Sequence, residues 1–582
     1  MKSTAMPFGA TVGNDGTTFR AWAPRAKRAS VRILHPGTRT VPMTRNEDGV
    51  FTVTLADIGE GALYKLVLAD RELPDPAARF LPDGVHGAAE VMADHVVTSS
   101  SLVPSKLAEL VIYELHIGTF TPEGTYAAAM LKLDHLSDLG INAIEVLPLA
   151  AFAGERGWGY DGVALFAPHA PYGRPEALRA FIAAAHDRGI AVLLDAVYNH
   201  LGPSGNYIPA YAGDEFLGKV ESPWGQGFRF EDEHVRTFVL ENVRYWLTSF
   251  GFDGLRLDAT HAVIDPSDKH VLQEITELAH SLVPRRIVVA EDERNEPTLM
   301  TRTGLDAVWA DDFHHVTRVL LTGERDGYYR AYEPKLDDLA KTIRQGWLYT
   351  GQVYPLTDEP RGAPADDVAP SSFVYCIQNH DQVGNRALGT RLHHEVSLDA
   401  HLAATMLLLF LPQTPMLFMG QEWAASSPFV YFTDHDPDLG KLITEGRRKE
   451  FGKFAAFSDP EHQAKIPDPQ ARSSFLSSKL KWEERLEGDH AKVLALTRTM
   501  LHLRRDDAVL GGIRHEEKPL DVRAEGERLI LTRQNGNGRR TLVVELRPGA
   551  ASRSAPGLGL SGRVILQSRA TLEGPYAVLL AD

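Results

Sequence analysis

Between positions 110 and 419 the chain repeats one pattern eight times: a short apolar run, then a longer stretch with apolar residues every three or four positions. The runs are 110–115, 143–147, 191–196, 254–257, 287–290, 307–310, 373–377 and 416–419. Their lengths suit buried strands, whereas 126–139, 175–188, 234–250 and 270–282 have helical spacing. Eight such units in succession predict an α/β fold, a central (β/α)8 TIM barrel with its active site at the C-terminal ends of the strands.

The flanks read differently. Short alternating segments at 18–22, 29–34 and 51–55, set between Gly, Pro, Asn and Asp, predict an N-terminal β-sandwich over 1–97. A Ser-rich stretch at 98–106 reads as a linker, and the barrel is expected over 107–500. Strand-like runs at 529–532, 541–545, 564–566 and 576–580 predict a C-terminal β domain over 501–582. Three units agree with a length of 582 residues, which exceeds what one core organises.

A net charge of -16 repels phosphate backbones and anionic lipid, so neither nucleic acid nor a membrane surface is an expected partner. The most membrane-like region, 402–419, is interrupted by Pro412, Gln413 and Pro415 and reads as a buried helix followed by a buried strand. The lone Cys376 sits in an apolar run, where a thiol acts as a small core group. That usage, together with the lack of an apolar leader in the first twelve residues, points to a reducing cytoplasmic setting.

Strand bodies in a barrel are apolar, so polar clusters at strand ends are the functional candidates. Five strands end this way: Asp195 with Asn199-His200, Arg256-Leu257-Asp258 with His261, Glu291-Asp292, Asp311-Asp312-Phe313-His314-His315, and Gln378-Asn379-His380-Asp381-Gln382. Alternation puts Arg256 and Asp258 on one face while Leu255 and Leu257 face the helices. A guanidinium beside a carboxylate favours the ionised state that a nucleophile needs. Glu291 ends the next strand, about 5 Å away, and retaining glycosidases hold their two carboxyl groups about 5 to 5.5 Å apart. Asp381 supplies a third carboxylate, whose charge favours keeping a proton on a neighbouring acid; Glu291 is the expected general acid.

Each feature has a plainer reading as well. Asp195 and Asp312 can be helix N-caps, Arg256 and Asp258 a structural ion pair, and Trp158 and Tyr160 core aromatics. His314-His315 could bind a metal but lacks the helical spacing of a zinc protease, and no oxygen-rich loop makes Asn199 a calcium ligand.

In this order and at these strand ends, the motifs resemble the signature regions of the α-amylase superfamily across about 109–451. The resemblance implies Asp258 as nucleophile, Glu291 as acid/base and Asp381 as transition-state stabiliser, with no cofactor and no metal. It implies that Arg256 supports the nucleophile, that Asp195, His200 and His380 hold the sugar at the cleaved bond, and that Tyr160 lies beneath it beside Trp158. His261, Gln382 and Asn385 join the implied sugar-binding set. After the acid the superfamily often reads Glu-Ser-Asp; this chain reads Glu291-Asp292-Glu293, a departure that touches the acid's surroundings.

The segment Phe19-Arg20-Ala21-Trp22-Ala23-Pro24 resembles the sandwich that precedes branching and debranching barrels. Tyr113-Glu114-Leu115-His116, the 309–315 and 321–329 segments, and 418–435 resemble the trehalose-releasing hydrolases of the superfamily. Their substrate would be maltooligosyltrehalose, made by a separate synthase. On that reading Asp311, Asp312, Phe313, His314, His315 and Tyr328 line the subsites beyond the cleaved bond. A branching or debranching enzyme, and a non-catalytic sugar-binding barrel, are the alternatives.

Overall fold

The computed structural model describes residues 8–93, 95, 107–222, 225–451, 460–511, 520–546, 562–569 and 574–582. The eight runs form a closed parallel barrel in chain order: β1 Ile112–Leu115, β2 Ala143–Val146, β3 Ala191–Ala196, β4 Gly254–Leu257, β5 Ile287–Glu291, β6 Ala307–Trp309, β7 Phe373–Tyr375 and β8 Thr414–Phe418. Only β3 and β4 keep the bounds read from sequence, the others differing by one or two residues at one end or, in β8, at both.

Helices Pro175–His186 and Val271–Ser281 lie where the periodicity puts them. The helix expected over 126–139 is instead two, Tyr126–Met130 and Leu133–Leu139, parted at Leu131, which is 77% exposed. The second closes on Gly140, whose φ of 105° suits a left-handed cap. The helix expected over 234–250 runs Glu233–Tyr245 and ends in a π turn, Trp246–Phe250. Residues 402–419 are a buried helix, Leu398–Phe410, started by the Ser397 side chain on Ala400 N–H, and then β8. No described helix is long and apolar enough to cross a membrane.

Alternation along the strands divides the barrel interior into an apolar floor and a charged upper layer. Ile112, Ala143, Leu193 and Val289 pack with Trp309, Val374, Cys376 and Met416 to fill the floor. Two residues further along the same faces stand Glu114, Glu145, Asp195 and Glu291, with Arg256 and Asp258 on β4. Gly254 lets β4 approach β5 at the floor, since a methyl there would lie 2.5 Å from the Ile287 carbonyl oxygen.

The N-terminal sheets, led by Gly16–Trp22 with Val50–Leu55 and by Ala29–His35 with Leu63–Leu68, enclose a core around Phe19, Val31, Phe51 and Tyr64. Trp22 stacks on His234 of the barrel at 4.7 Å between ring centres. The linker read at 98–106 lies outside the described residues.

Helix Gly488–Asp506 runs through position 500, where the barrel domain was expected to end. Its buried Arg504 donates to the carbonyls of Leu409 and Gln413, satisfying the end of helix Leu398–Phe410. Among the described residues the C-terminal sheet has five antiparallel strands, including Asp521–Glu525, whose polar, exposed pattern hides it from an apolar search.

Candidate active site

The charged layer is organised around one side chain. Arg256 is fully buried, and its Nη1 donates to Asp195 Oδ1 at 2.6 Å and to Asp258 Oδ1 at 2.8 Å. Its Nη2 lies 2.8 Å from Glu291 Oε2, and the guanidinium sits 4.3 Å over the Trp309 ring. A buried cation is tolerated because three carboxylates surround it, two of them in direct hydrogen-bond contact.

Asp258 is held from a second side. Asn199 Nδ2 donates to its carbonyl at 2.9 Å and to Oδ2 at 2.7 Å, so both carboxylate oxygens are oriented. Leu257 pairs with Ala290 across β4 and β5, and one step further Asp258 stands beside Glu291. The backbone N–H of Ala259 donates to Glu291 Oε2 at 2.8 Å, from a residue in the left-handed region at φ 40°. Burial pushes the Glu291 carboxyl well above the usual carboxylate range; Arg256 opposes this, and Asp258 and Asp381 add to it. Asp292, at the departure from the superfamily pattern, accepts from the Thr260 hydroxyl and from Nε and Nη2 of Arg294, so its charge is paired locally.

Across the cleft Asp381 lies in the first turn of helix His380–Gly384, part-exposed, with its Oδ1 accepting from Asn385 at 2.9 Å. Tyr160 stacks against His380 with ring centres 5.2 Å apart, and its hydroxyl contacts Asp195 Oδ2 at 2.5 Å and His380 Nε2 at 2.8 Å. Burial raises Asp195 to about 6, against the pull of Arg256. His200 is buried against Asn199, burial lowering its pKa, and His261 is half-buried beyond β4.

Other expected residues fall elsewhere. Trp158 stands edge-on to His380, with ring centres 5.6 Å apart: it is buried, stacked on Phe429, and donates from Nε1 to the Val430 carbonyl. Asp312 is 0% exposed and accepts from Leu348 N, Tyr349 N, Asn295 Nδ2 and the Tyr332 hydroxyl. Phe313 is equally buried, stacked on Tyr375 at 4.2 Å. These two cannot touch a sugar, because helix Asp311–Thr322 turns them into the core, and the expectation that they line a subsite is corrected. His314 pairs with the part-exposed Asp311, and His315 packs among Tyr328, Tyr329 and Tyr332. Among the described residues no group of three His, Cys, Asp or Glu is placed to hold a metal ion.

Tyr328 is 39% exposed and joins Tyr329 in donating to Gln382 Oε1, at 3.1 and 3.0 Å, beside Asp381. Beneath them Arg318, Glu324, Arg386 and Glu395 form one ion cluster that ties helix Asp311–Thr322 to the loop after His380–Gly384. In the 421–435 segment Gln421, Glu422 and Trp423 are buried, and Glu422 accepts from the Tyr113 hydroxyl. That part closes the barrel and offers no surface to a ligand.

Two positioning groups were not picked out from sequence. Trp309 under Arg256 reads as one more apolar strand residue. Glu114 on β1 accepts from His380 backbone N–H at 2.9 Å and from Nδ1 at 2.6 Å, and it had a legible signal: a carboxylate in phase with the inward Ile112.

Comparison with known proteins agrees with this architecture. Residues 7–82 match carbohydrate-binding module 48 (isoamylase N-terminal domain), and residues 118–215 match the alpha amylase catalytic domain. A malto-oligosyltrehalose trehalohydrolase of Deinococcus radiodurans is 49% identical over 94% of this chain and 89% of its own. The crystal structure of a Salmonella typhimurium protein named as an alpha amylase is 36% identical, covering 99% of this chain and 100% of its own, with a TM-score of 0.91. A Dechloromonas aromatica 1,4-alpha-glucan branching enzyme is more distant, 25% identical over 78% of this chain and 76% of its own.

Proposed function

Since the chain belongs to the malto-oligosyltrehalose trehalohydrolase family of α-amylase-type glycoside hydrolases, we propose that it hydrolyses the α-1,4 bond joining a maltooligosaccharide to a terminal trehalose, releasing free trehalose. The observation that carries the chemistry is Asp258 and Glu291 on adjacent strands, joined through Arg256.

Asp258 attacks the anomeric carbon of the glucose preceding trehalose while the C–O bond to trehalose breaks. Glu291 gives its proton to the departing oxygen, and trehalose leaves as a neutral alcohol. Glu291, now a carboxylate, takes a proton from water as the water oxygen bonds to the same carbon and Asp258 is expelled. Two inversions return the α configuration. The raised pKa of Glu291 suits the first half, because the acid must hold its proton near neutrality. Asp381 faces the same ring, where a carboxylate favours the positive charge of an oxocarbenium-like transition state. No step calls for a cofactor.

Trehalose is a 1,1-linked disaccharide, so the substrate has no reducing end, and a separate synthase that exchanges the reducing-end α-1,4 linkage of a maltooligosaccharide for the 1,1 linkage is its expected source, both enzymes acting in the cytoplasm. Incubation with maltotriosyltrehalose is the direct test: maltotriose and trehalose should appear about a hundredfold more efficiently than maltopentaose is cleaved, a difference of about 3 kcal/mol. Equal efficiency on both substrates would leave an ordinary amylase. New α-1,6 branches or an altered iodine stain on amylose would point to a branching enzyme.

A further inference from the structure

Within that function, we infer that Glu114 is a positioning residue of the hydrolytic site, locking His380 as a doubly protonated imidazolium that in turn aims Tyr160. The donors and acceptors around the ring fix its protonation. Nδ1 of His380 faces Glu114 Oε1 at 2.6 Å, while Glu114 Oε2 accepts the His380 backbone N–H at 2.9 Å. The carboxylate therefore receives two donors from one residue. On the far side of the ring, Nε2 lies 2.8 Å from the Tyr160 hydroxyl. That hydroxyl has a single proton, which it gives to Asp195 Oδ2 in a contact of 2.5 Å, short enough to be charge-assisted. Its oxygen is left as an acceptor for Nε2–H. Both ring nitrogens face acceptors, and only the imidazolium satisfies both.

The chain of bonds then runs in one direction, from His380 outward to Glu114 and through Tyr160 to Asp195. It crosses the barrel from β1 to the end of β7 and back to β3, so the tyrosine beneath the sugar is set by a carboxylate that never touches it. The other groups facing the imidazole are Asp381 at 3.5 Å, Arg256, Asp195, Glu145, His116 and the rings of Trp158 and Trp309. Glu145, beside Glu114 on β2, is fully buried with no protein hydrogen bond to either carboxyl oxygen, and burial pushes its carboxyl well above the usual carboxylate range. Glu114, by contrast, turns both of its oxygens onto His380. In agreement, His380 is raised to about 10, Asp381 and Glu114 overcoming the cost of burial.

The test combines nitrogen NMR of histidine side chains with kinetics on maltotriosyltrehalose. In the intact enzyme at pH 8 His380, assigned by loss of its signal in His380→Gln, should show both nitrogens protonated; a neutral ring there overturns the inference. Glu114→Gln replaces one acceptor with a donor, so His380 should become the neutral Nε2–H tautomer and accept at Nδ1. kcat/KM should fall at least tenfold, mostly through kcat. A His380 that stays cationic in Glu114→Gln, or a neutral one with an unchanged rate, also overturns it. If that variant does not fold, the wild-type spectrum decides alone. A wild-type enzyme inactive on maltotriosyltrehalose would refute the proposed reaction and leave the spectra to judge the Glu114 contact.

Discussion

Asp258 and Glu291 stand side by side, one step past the Leu257–Ala290 pair of neighbouring parallel strands, and both lie 2.8 Å from the guanidinium of Arg256. Neighbouring strands are about 4.8 Å apart, a spacing that suits the close carboxyl pair of a retaining mechanism with Asp258 as the proposed nucleophile. Proton NMR of the first turnovers should therefore show the new reducing end as the α-anomer. Initial β-anomer would mean that these two carboxylates are not the working pair.

Both oxygens of Asp258 are held, by Arg256 and by Asn199, so Asp258→Asn should keep the fold while losing the attacking charge. A drop in kcat of at least about a thousandfold, or roughly 4 kcal/mol, is expected. Near-normal turnover in a folded variant removes Asp258 from the nucleophile role.

As the proposed acid, Glu291 works only while protonated, so activity is expected to fall as pH rises through its raised pKa. Asp381 contributes to that elevation, and Asp381→Asn removes its charge. The residual activity of the variant should show its alkaline limb at lower pH than the wild type. A limb that does not move, or moves upward, contradicts the assignment of Glu291 as the acid.

Gln382 is gripped by Tyr328 and Tyr329 next to Asp381, on the side where the departing disaccharide is proposed to sit. Gln382→Ala should lower kcat/KM on maltotriosyltrehalose about tenfold, near 1.4 kcal/mol, and affect maltopentaose less. Equal losses on both substrates would assign Gln382 to general support of the loop.

Asp312 accepts four hydrogen bonds in the core and lies 3.5 Å from Arg361. Asp312→Ala leaves those donors unpaired at a cost of about 3 kcal/mol. Its urea midpoint should fall, with substrate preference retained in whatever remains folded. A stable variant with altered preference would restore a substrate role to Asp312.

What the sequence by itself determined is the barrel and its central carboxylates. Eight apolar runs, and the two-residue alternation that sends Arg256 and Asp258 inward together, are local properties of the chain. Asp195, Glu291, His380 and Asp381 were legible because a strand end is a place where polarity has no packing reason. What only the tertiary structure decided is which polar side chains share a neighbourhood. Asp311 and Asp312 are adjacent in sequence, yet helix Asp311–Thr322 sends Asp312 into the core as a hydrogen-bond hub and leaves Asp311 part-exposed. Glu114 and His380 are 266 residues apart and meet only because the barrel closes. Periodicity reports which way a residue faces along its own element. Hydrogen bonding and desolvation depend on what another element presents at that point, and only the closed barrel brings those elements into contact.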